Sequence, residues 1–321
     1  MKRREFITLL GGAAAAWPLA ARAQRGSVMP RVGVLFGTAE NDPEGRDRFD
    51  AFRQGLEKLG WMPGKNLRIE ARWGGADLER MRTQAAELVR FKPNVLLAGA
   101  TVSLVTLQQA AGDIPIVFAQ VTDPVGAGFV TSLARPGGNI TGFTQHEFAI
   151  GVKWLELLKE LAPRIKHVAV IHHAENPASA GYLATITPAA PTLGVELAIS
   201  GVRNSSDIER AIDAVAGRPD GGIIVLPGPT PSSGRDLVIA LAERHRLPAV
   251  YAFRYWVLSG GLASYGIDNH ELYRLAATYV DRILKGEKPA DLPVQHATKF
   301  QLVINLKTAK RRSHCSLAPT R

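Results

Sequence analysis

The sequence is short of the residues that most chemistry needs. It has one cysteine, Cys315, so no internal disulfide can form and no cysteine-based metal cluster can be built. No run of about 18 apolar residues occurs, which argues against a spanning membrane protein. No G-x-S-x-G elbow exists, since Ser264 has Gly266 after it but Leu262 before it. There is no Walker A loop, and Gly126-Ala127-Gly128 runs on into Phe129-Val130-Thr131 without the third glycine of a dinucleotide fingerprint. Neither His146-Glu147 nor His270-Glu271 has the second histidine of a zinc protease. His167, His172 and His173 are the one histidine cluster, and neighbouring strand residues such as His172 and His173 point to opposite faces. These absences predict a protein that is not an enzyme and that carries no cofactor and no metal.

What is present begins with charge. The 321 residues carry 39 Lys plus Arg against 29 Asp plus Glu, a net charge of +10. Residues 1–23 hold +3 of this and residues 307–321 hold +5, so the body is nearly balanced at +2. A nucleic-acid partner is not indicated, because no aromatic residues interleave with the basic tail. Lys2-Arg3-Arg4 followed by the apolar stretch Ile7 to Ala21, with Ala21-Arg22-Ala23 at its end, reads as an export signal cleaved before Gln24. Arg3-Arg4-Glu5-Phe6-Ile7 fits the twin-arginine pattern, and an ordinary Sec signal is the alternative. Either route places the mature chain in the periplasm.

From Arg31 onward, short β-branched runs alternate with amphipathic stretches, the pattern of parallel βαβ units. The first half predicts strands at Arg31–Phe36, Leu67–Trp73, Asn94–Ala98, Ile114–Phe118 and Ile140–Phe143. Helices are expected at Asp42–Leu59, Asp77–Phe91, Val102–Ala111 and Val125–Leu133. Within Asp77–Phe91, Leu78, Met81, Ala85, Leu88 and Val89 recur at three and four residue steps, so one stripe faces a sheet. The second half repeats the plan, with strands at His167–Ile171, Val195–Ile199, Gly222–Leu226 and Ala249–Ala252. Its helices fall near Ala178–Thr192, Ser206–Val215 and Ser233–Arg244. Leu262–Ile267 reads as a further strand, Asn269–Leu284 as a helix capped by Asp268 or Asn269, and Phe300–Leu306 as a last strand. The expected fold is α/β, two Rossmann-like doubly wound lobes joined by a hinge.

In open parallel sheets the ligand crevice lies beyond the carboxyl ends of the strands. That rule selects Thr38 after the first strand, Thr101 and Ser103 after the third, and Gln120 and Asp123 after the fourth. In the second half it selects Asn176, Gly228 with Thr230, and Tyr251, and the crossing strand offers Tyr265 and Asp268. Hydroxyls and N–H groups suit a carboxylate, Asp123 or Asp268 an ammonium, and Phe36, Tyr251 and Tyr265 an apolar body. The set fits an amino-acid-sized zwitterion. Each residue alone suits a helix cap or turn equally well.

Three stretches carry a family resemblance: Ile114-Pro115-Ile116-Val117-Phe118 with Thr122-Asp123-Pro124-Val125-Gly126-Ala127-Gly128, Leu133 to Gly142, and Phe300 to Ala309. Together they resemble a family of ABC-transporter substrate-binding proteins of the type I periplasmic-binding fold, among which are binders of tryptophan and other aromatic amino acids. The resemblance implies three connecting segments, a solute closed between the lobes, no catalysis and delivery to a membrane permease by a monomer. It places ligand contacts in the loops around Thr38, Thr101, Asp123, Asn176, Tyr251 and Asp268. It assigns residues 30–143 plus 264–290 to one lobe and 144–263 plus 291–309 to the other. The tail departs from the family pattern, since Lys310-Arg311-Arg312-Ser313-His314-Cys315 stands where a helix with Leu and Gly is usual, as in a truncated or frame-shifted end. A ligand-sensing module for a signalling partner would share the fold, and an exported hydrolase would require a Ser–His pair in the cleft.

Overall fold

The computed structural model describes residues 29–145 and 147–311. The expected export signal and the end of the basic tail lie outside the described residues. The first lobe begins β1 (Arg31–Phe36), α1 (Pro43–Lys58), β2 (Arg68–Trp73), α2 (Leu78–Arg90), β3 (Val95–Gly99), α3 (Thr101–Ala111), β4 (Ile116–Val121) and β5 (Ile140–Thr144). The second contains α4 (Ile150–Leu161), β6 (His167–His173), α5 (Ala178–Ala189), β7 (Glu196–Val202), α6 (Ser205–Asp213) and β8 (Gly221–Val225). It continues with α7 (Pro229–Ser233), α8 (Arg235–Arg244), β9 (Ala249–Tyr251), α9 (Arg254–Leu258) and β10 (Ala263–Ile267). The chain then returns through α10 (Asn269–Leu284), β11 (Gln295–His296), β12 (Phe300–Ile304) and α11 (Leu306–Arg311).

The two sheets have the same strand order, β11-β5-β4-β3-β1-β2 and β12-β10-β9-β8-β6-β7. All pairs are parallel except β10 with β12, which is antiparallel. Strand β1 shows why such runs are apolar throughout. Val32, Val34 and Phe36 enter one core while Leu35 joins Met81, Ala85 and Leu88 of α2 on the opposite face. Period-two alternation with helices on both sides leaves no face for water.

The chain passes between the lobes three times, at residues 145–149, at Asp268 and at residues 297–299. Strand β10 pairs with β9 in the second sheet, whereas α10 packs on α1 and β4 of the first lobe, and β11 pairs with β5. These pairings correct the expected boundaries, which placed residues 264–267 with the first lobe and 291–296 with the second. The crossovers occur at the cap before α10 and between β11 and β12, so consecutive elements belong to different sheets.

Two local expectations also change. Residues 125–133 form turns, not a helix: Asp123 Oδ1 accepts the Gly126 N–H at 2.8 Å, and Gly128 at φ 74° turns the chain out of the helical path after one turn. Helix α4, unanticipated from the sequence, buries Trp154, whose Nε1 donates to the Tyr265 carbonyl at 2.7 Å.

Candidate ligand cleft between the lobes

A cavity lies between the carboxyl ends of the two sets of strands, at the point where the order of the first sheet reverses between β1 and β3. The first lobe lines it with Phe36, Gly37 and Thr38 after β1, Gly99 to Ser103 at the β3–α3 junction, Gln120 after β4, and Arg48 from α1. The second contributes Asn176, Pro227-Gly228-Pro229, Ser232, Phe253 and Tyr255, and Gln145 sits on the first crossover. The lobes touch here: a Cβ placed on Gly37 would stand 3.5 Å from Pro229. Only about 50 Å³ stays open. Ordinary ligand sites measure about 300–1,000 Å³, so a solute enters and is housed only as the lobes part.

The walls are built rigidly. Phe36 stacks on Trp73 at 4.5 Å and on Tyr273 at 5.7 Å, which holds its ring at the end of β1. Ala100 has φ 99° and ψ 167°, a conformation otherwise kept for glycine, at a cost of about 1–3 kcal/mol. This strain turns the chain so that α3 begins at the cavity wall. No side chain caps α3, and its first internal bond is that of Leu104 N–H to the Ala100 carbonyl. The first-turn N–H groups of Thr101, Val102 and Ser103 therefore form a positive helix end beside the cavity. Gln120, at φ 61°, is held by Tyr273 Oη donating to its Oε1 at 3.0 Å.

Arg48 is buried, and its Nε donates to Glu44 Oε1 at 3.0 Å. Its guanidinium lies 5.3 Å from the ring centroid of Tyr255 of the other lobe, and Arg235 lies 5.5 Å from the same ring. Burial alone would raise the Glu44 carboxyl, yet the adjoining Arg48 and His270 hold it below the ordinary carboxylate range. Burial lifts Asp42 above that range in spite of Arg48 and Arg235, the latter 3.6 Å away across the cleft. His270 Nε2 lies 3.7 Å from Glu44 Oε2, and contact with that carboxylate raises the imidazole.

Glu44 lines a neighbouring pocket of about 390 Å³ together with Asp47, Arg235, Asp268, Asn269 and His270. Among the described residues, Glu44, Asp47 and His270 are near enough to share a cation, with ligand atoms within 4.8 Å of one another. Arg48 Nε already engages Glu44 Oε1 at 3.0 Å and His270 Nε2 faces Glu44 Oε2 at 3.7 Å, so both oxygens of this carboxylate are met from within the protein.

Of the residues singled out from the sequence, Phe36, Thr38, Thr101, Ser103, Gln120, Asn176 and Gly228 line the cavity. Ser103 also donates back to the Gly99 carbonyl at 3.3 Å, and Asn176 Nδ2 donates to the Pro227 carbonyl at 3.0 Å. The other five stand elsewhere, Thr230 among them, with its Oγ1 2.8 Å from His173 Nδ1. Asp123 pins its own turn through Gly126 and lines a separate pocket with Pro124, Val125 and His296. Tyr251 is buried in the second-lobe core, stacked on Trp256 at 4.6 Å. Tyr265 stacks on Phe300 at 5.8 Å. Asp268 Oδ1 accepts the His270 N–H at 3.0 Å as the cap of α10. Arg48, Gln145, Ser232, Phe253 and Tyr255 were not found by the strand-end rule, because helix packing and lobe closure bring them in.

Two lobes closing on a cavity at the strand ends define a solute-binding protein of the hinge type. The sequence model of the ABC transporter substrate binding protein family matches residues 42–313. The chain belongs to that family, whose members bind solutes and are not enzymes. It is 32% identical over 262 residues to a tyrosine-binding protein of Clostridioides difficile, covering 81% of this chain and 74% of that one. An ABC domain in complex with L-Trp from Streptococcus pneumonia superposes with a TM-score of 0.81 at 27% identity over 90% of this chain and 96% of that one. A substrate-binding protein with adhesive properties from Clostridium difficile, in a ligand-free, open structure, gives a TM-score of 0.62 at 26% identity over 88% and 94%. No helix among the described residues is long and apolar enough to cross a membrane.

Proposed function

We propose that this chain is the exported, monomeric solute receptor of an ABC importer, taking an amino-acid-like or other small carboxylate between its lobes and presenting the closed form to a membrane permease. The observation that carries this reading is the uncapped start of α3 opening into the interlobe cavity beside Thr101, Ser103 and Arg48, with Phe36, Phe253 and Tyr255 as apolar walls. Relatives named for tyrosine and bound to L-Trp support an aromatic amino acid as the solute. The export signal, cleaved before Gln24, supports a periplasmic location. Solute must bind the closed arrangement more tightly than the open one, since equal affinity for both shifts nothing. Titration calorimetry of the mature chain against amino acids and small carboxylates tests this. Saturable heat from an aromatic amino acid is expected, and no heat from any member of the panel overturns the reading.

A further inference from the structure

The cleft offers charge to one end of a zwitterion only. Among the described residues lining it, Arg48 is the single charged side chain, and no Asp or Glu is present. Glu44 faces the neighbouring pocket, so the cavity meets the cationic end of the Arg48–Glu44 pair. The two carboxylates that could have held an ammonium, Asp123 and Asp268, are committed to a turn and a helix cap outside the cavity. What remains for the second polar group of a solute is neutral. Thr38 Oγ1 and Gln145 Oε1 line the cavity, are buried with 6% and 4% of each residue exposed, and have no hydrogen-bond partner. The Nε2 of Gln145 is already used by Thr122 Oγ1 at 2.7 Å and Tyr182 Oη at 3.3 Å, which leaves Oε1 as an acceptor. A neutral acceptor takes an O–H as well as an N–H, and the cost of burying an ammonium that meets no carboxylate offsets the extra strength of its charge-assisted bond.

We infer that the cleft selects a carboxylate with an apolar or aromatic body and reads the neighbouring substituent only as a hydrogen-bond donor. It therefore takes 2-hydroxy acids as well as the matching α-amino acids and rejects amines that lack the carboxylate. The inference rests on the cleft being the solute site. Leaving an amide acceptor and a hydroxyl unpaired in a buried cavity penalises solutes without a donor, and a lone cation next to Arg48 has nothing to balance it.

Calorimetry with L-tyrosine and L-tryptophan, their 2-hydroxy-acid counterparts, and tyramine and tryptamine tests the selection. The hydroxy acids are expected within tenfold of the amino acids, and the amines at least tenfold weaker. A hydroxy acid more than tenfold weaker than its amino acid, or an amine within tenfold, overturns the inference while the receptor reading stands. Gln145→Glu, which puts a carboxylate at the acceptor position, is expected to move the preference at least tenfold toward the amino acids, and an unmoved ratio also overturns it. If none of the six binds and an uncharged solute does, the proposed solute class falls, and this selection with it.

Discussion

The two lobes share one strand order and use it differently. In the first, the ends of β1, β3 and β4 present hydroxyls, an amide and an open helix start to the cavity, and α1 adds Arg48. In the second, the loops beyond the strands present Pro227-Gly228-Pro229, Phe253 and Tyr255 with Asn176 and Ser232 among them, a more apolar surface that closes over the first. On the proposed reading, the polar face of the first lobe orients a solute before closure, and the second lobe removes it from water. The sheets also finish differently. The first ends on the two-residue parallel strand β11, the second on antiparallel β12, whose Leu302 is 52% exposed. A duplicated topology thus fixes where a site can form, while loop chemistry decides which lobe recognises and which covers.

The largest test of that comparison concerns independent stability. Trp154→Ala empties a fully buried position of the second lobe and breaks the bond to Tyr265, with an expected loss of about 3–5 kcal/mol. Scanning calorimetry should then show the second lobe melting before the first; a single transition lowered as a whole would mean that the lobes unfold together. Next in size are the paired glycines of β5 and β10. A Cβ on Gly142 would lie 2.2 Å from the Phe118 carbonyl oxygen, and one on Gly266 1.9 Å from that of Ala252. Alanine at either position should cost about 1–3 kcal/mol, and a clear inequality between the two would break the equivalence of the lobes.

A smaller effect is expected at the seam. Arg235→Gln removes the cation that faces buried Asp42 across the cleft, so closure should weaken and solute affinity fall about tenfold. Unchanged affinity would show that the apolar cover closes without this pair. Asp123→Ala should cost about 1 kcal/mol through loss of its turn bond and leave solute affinity unaltered; weaker binding would return that residue to the site. The smallest shift is with pH. His270 is raised in the folded chain, so its contribution is complete below about pH 6.5 and is lost as pH rises through its folded value. The melting difference between the parent chain and His270→Gln should shrink by about 2 °C or less from pH 6 to 8.5, and a difference that grows would reverse the assigned cause.

Much of the scaffold was legible because its signals are local. Strand β1 and helix α10 fall where β-branched runs and the Asp268 cap place them. Residues 125–133 misled because apolar spacing resembles a helix, while Asp123 and Gly128 set the local path. In the cleft, the strand-end rule finds Thr38, Thr101 and Ser103, whose position follows from the order of the sheet. It cannot say that Tyr251 turns into the core onto Trp256 while Tyr255 reaches the other lobe. Arg48 is hidden for a related reason: a mid-helix arginine looks solvated until α10 packs beside α1 and Tyr255 closes above it.

The late return of the chain has a consequence for how the molecule comes into being. Both sheets gain their last strand only after residue 294, and the bond from Thr141 Oγ1 to the Leu292 carbonyl joins positions 151 apart. Closing such loops is entropically slow, and neither lobe is finished until almost the whole polypeptide exists. A nascent chain stopped at residue 290 would carry β5 and β10 each with one side unpaired, two open templates for association instead of one incomplete domain. Completion of both sheets is thereby deferred to the end of synthesis.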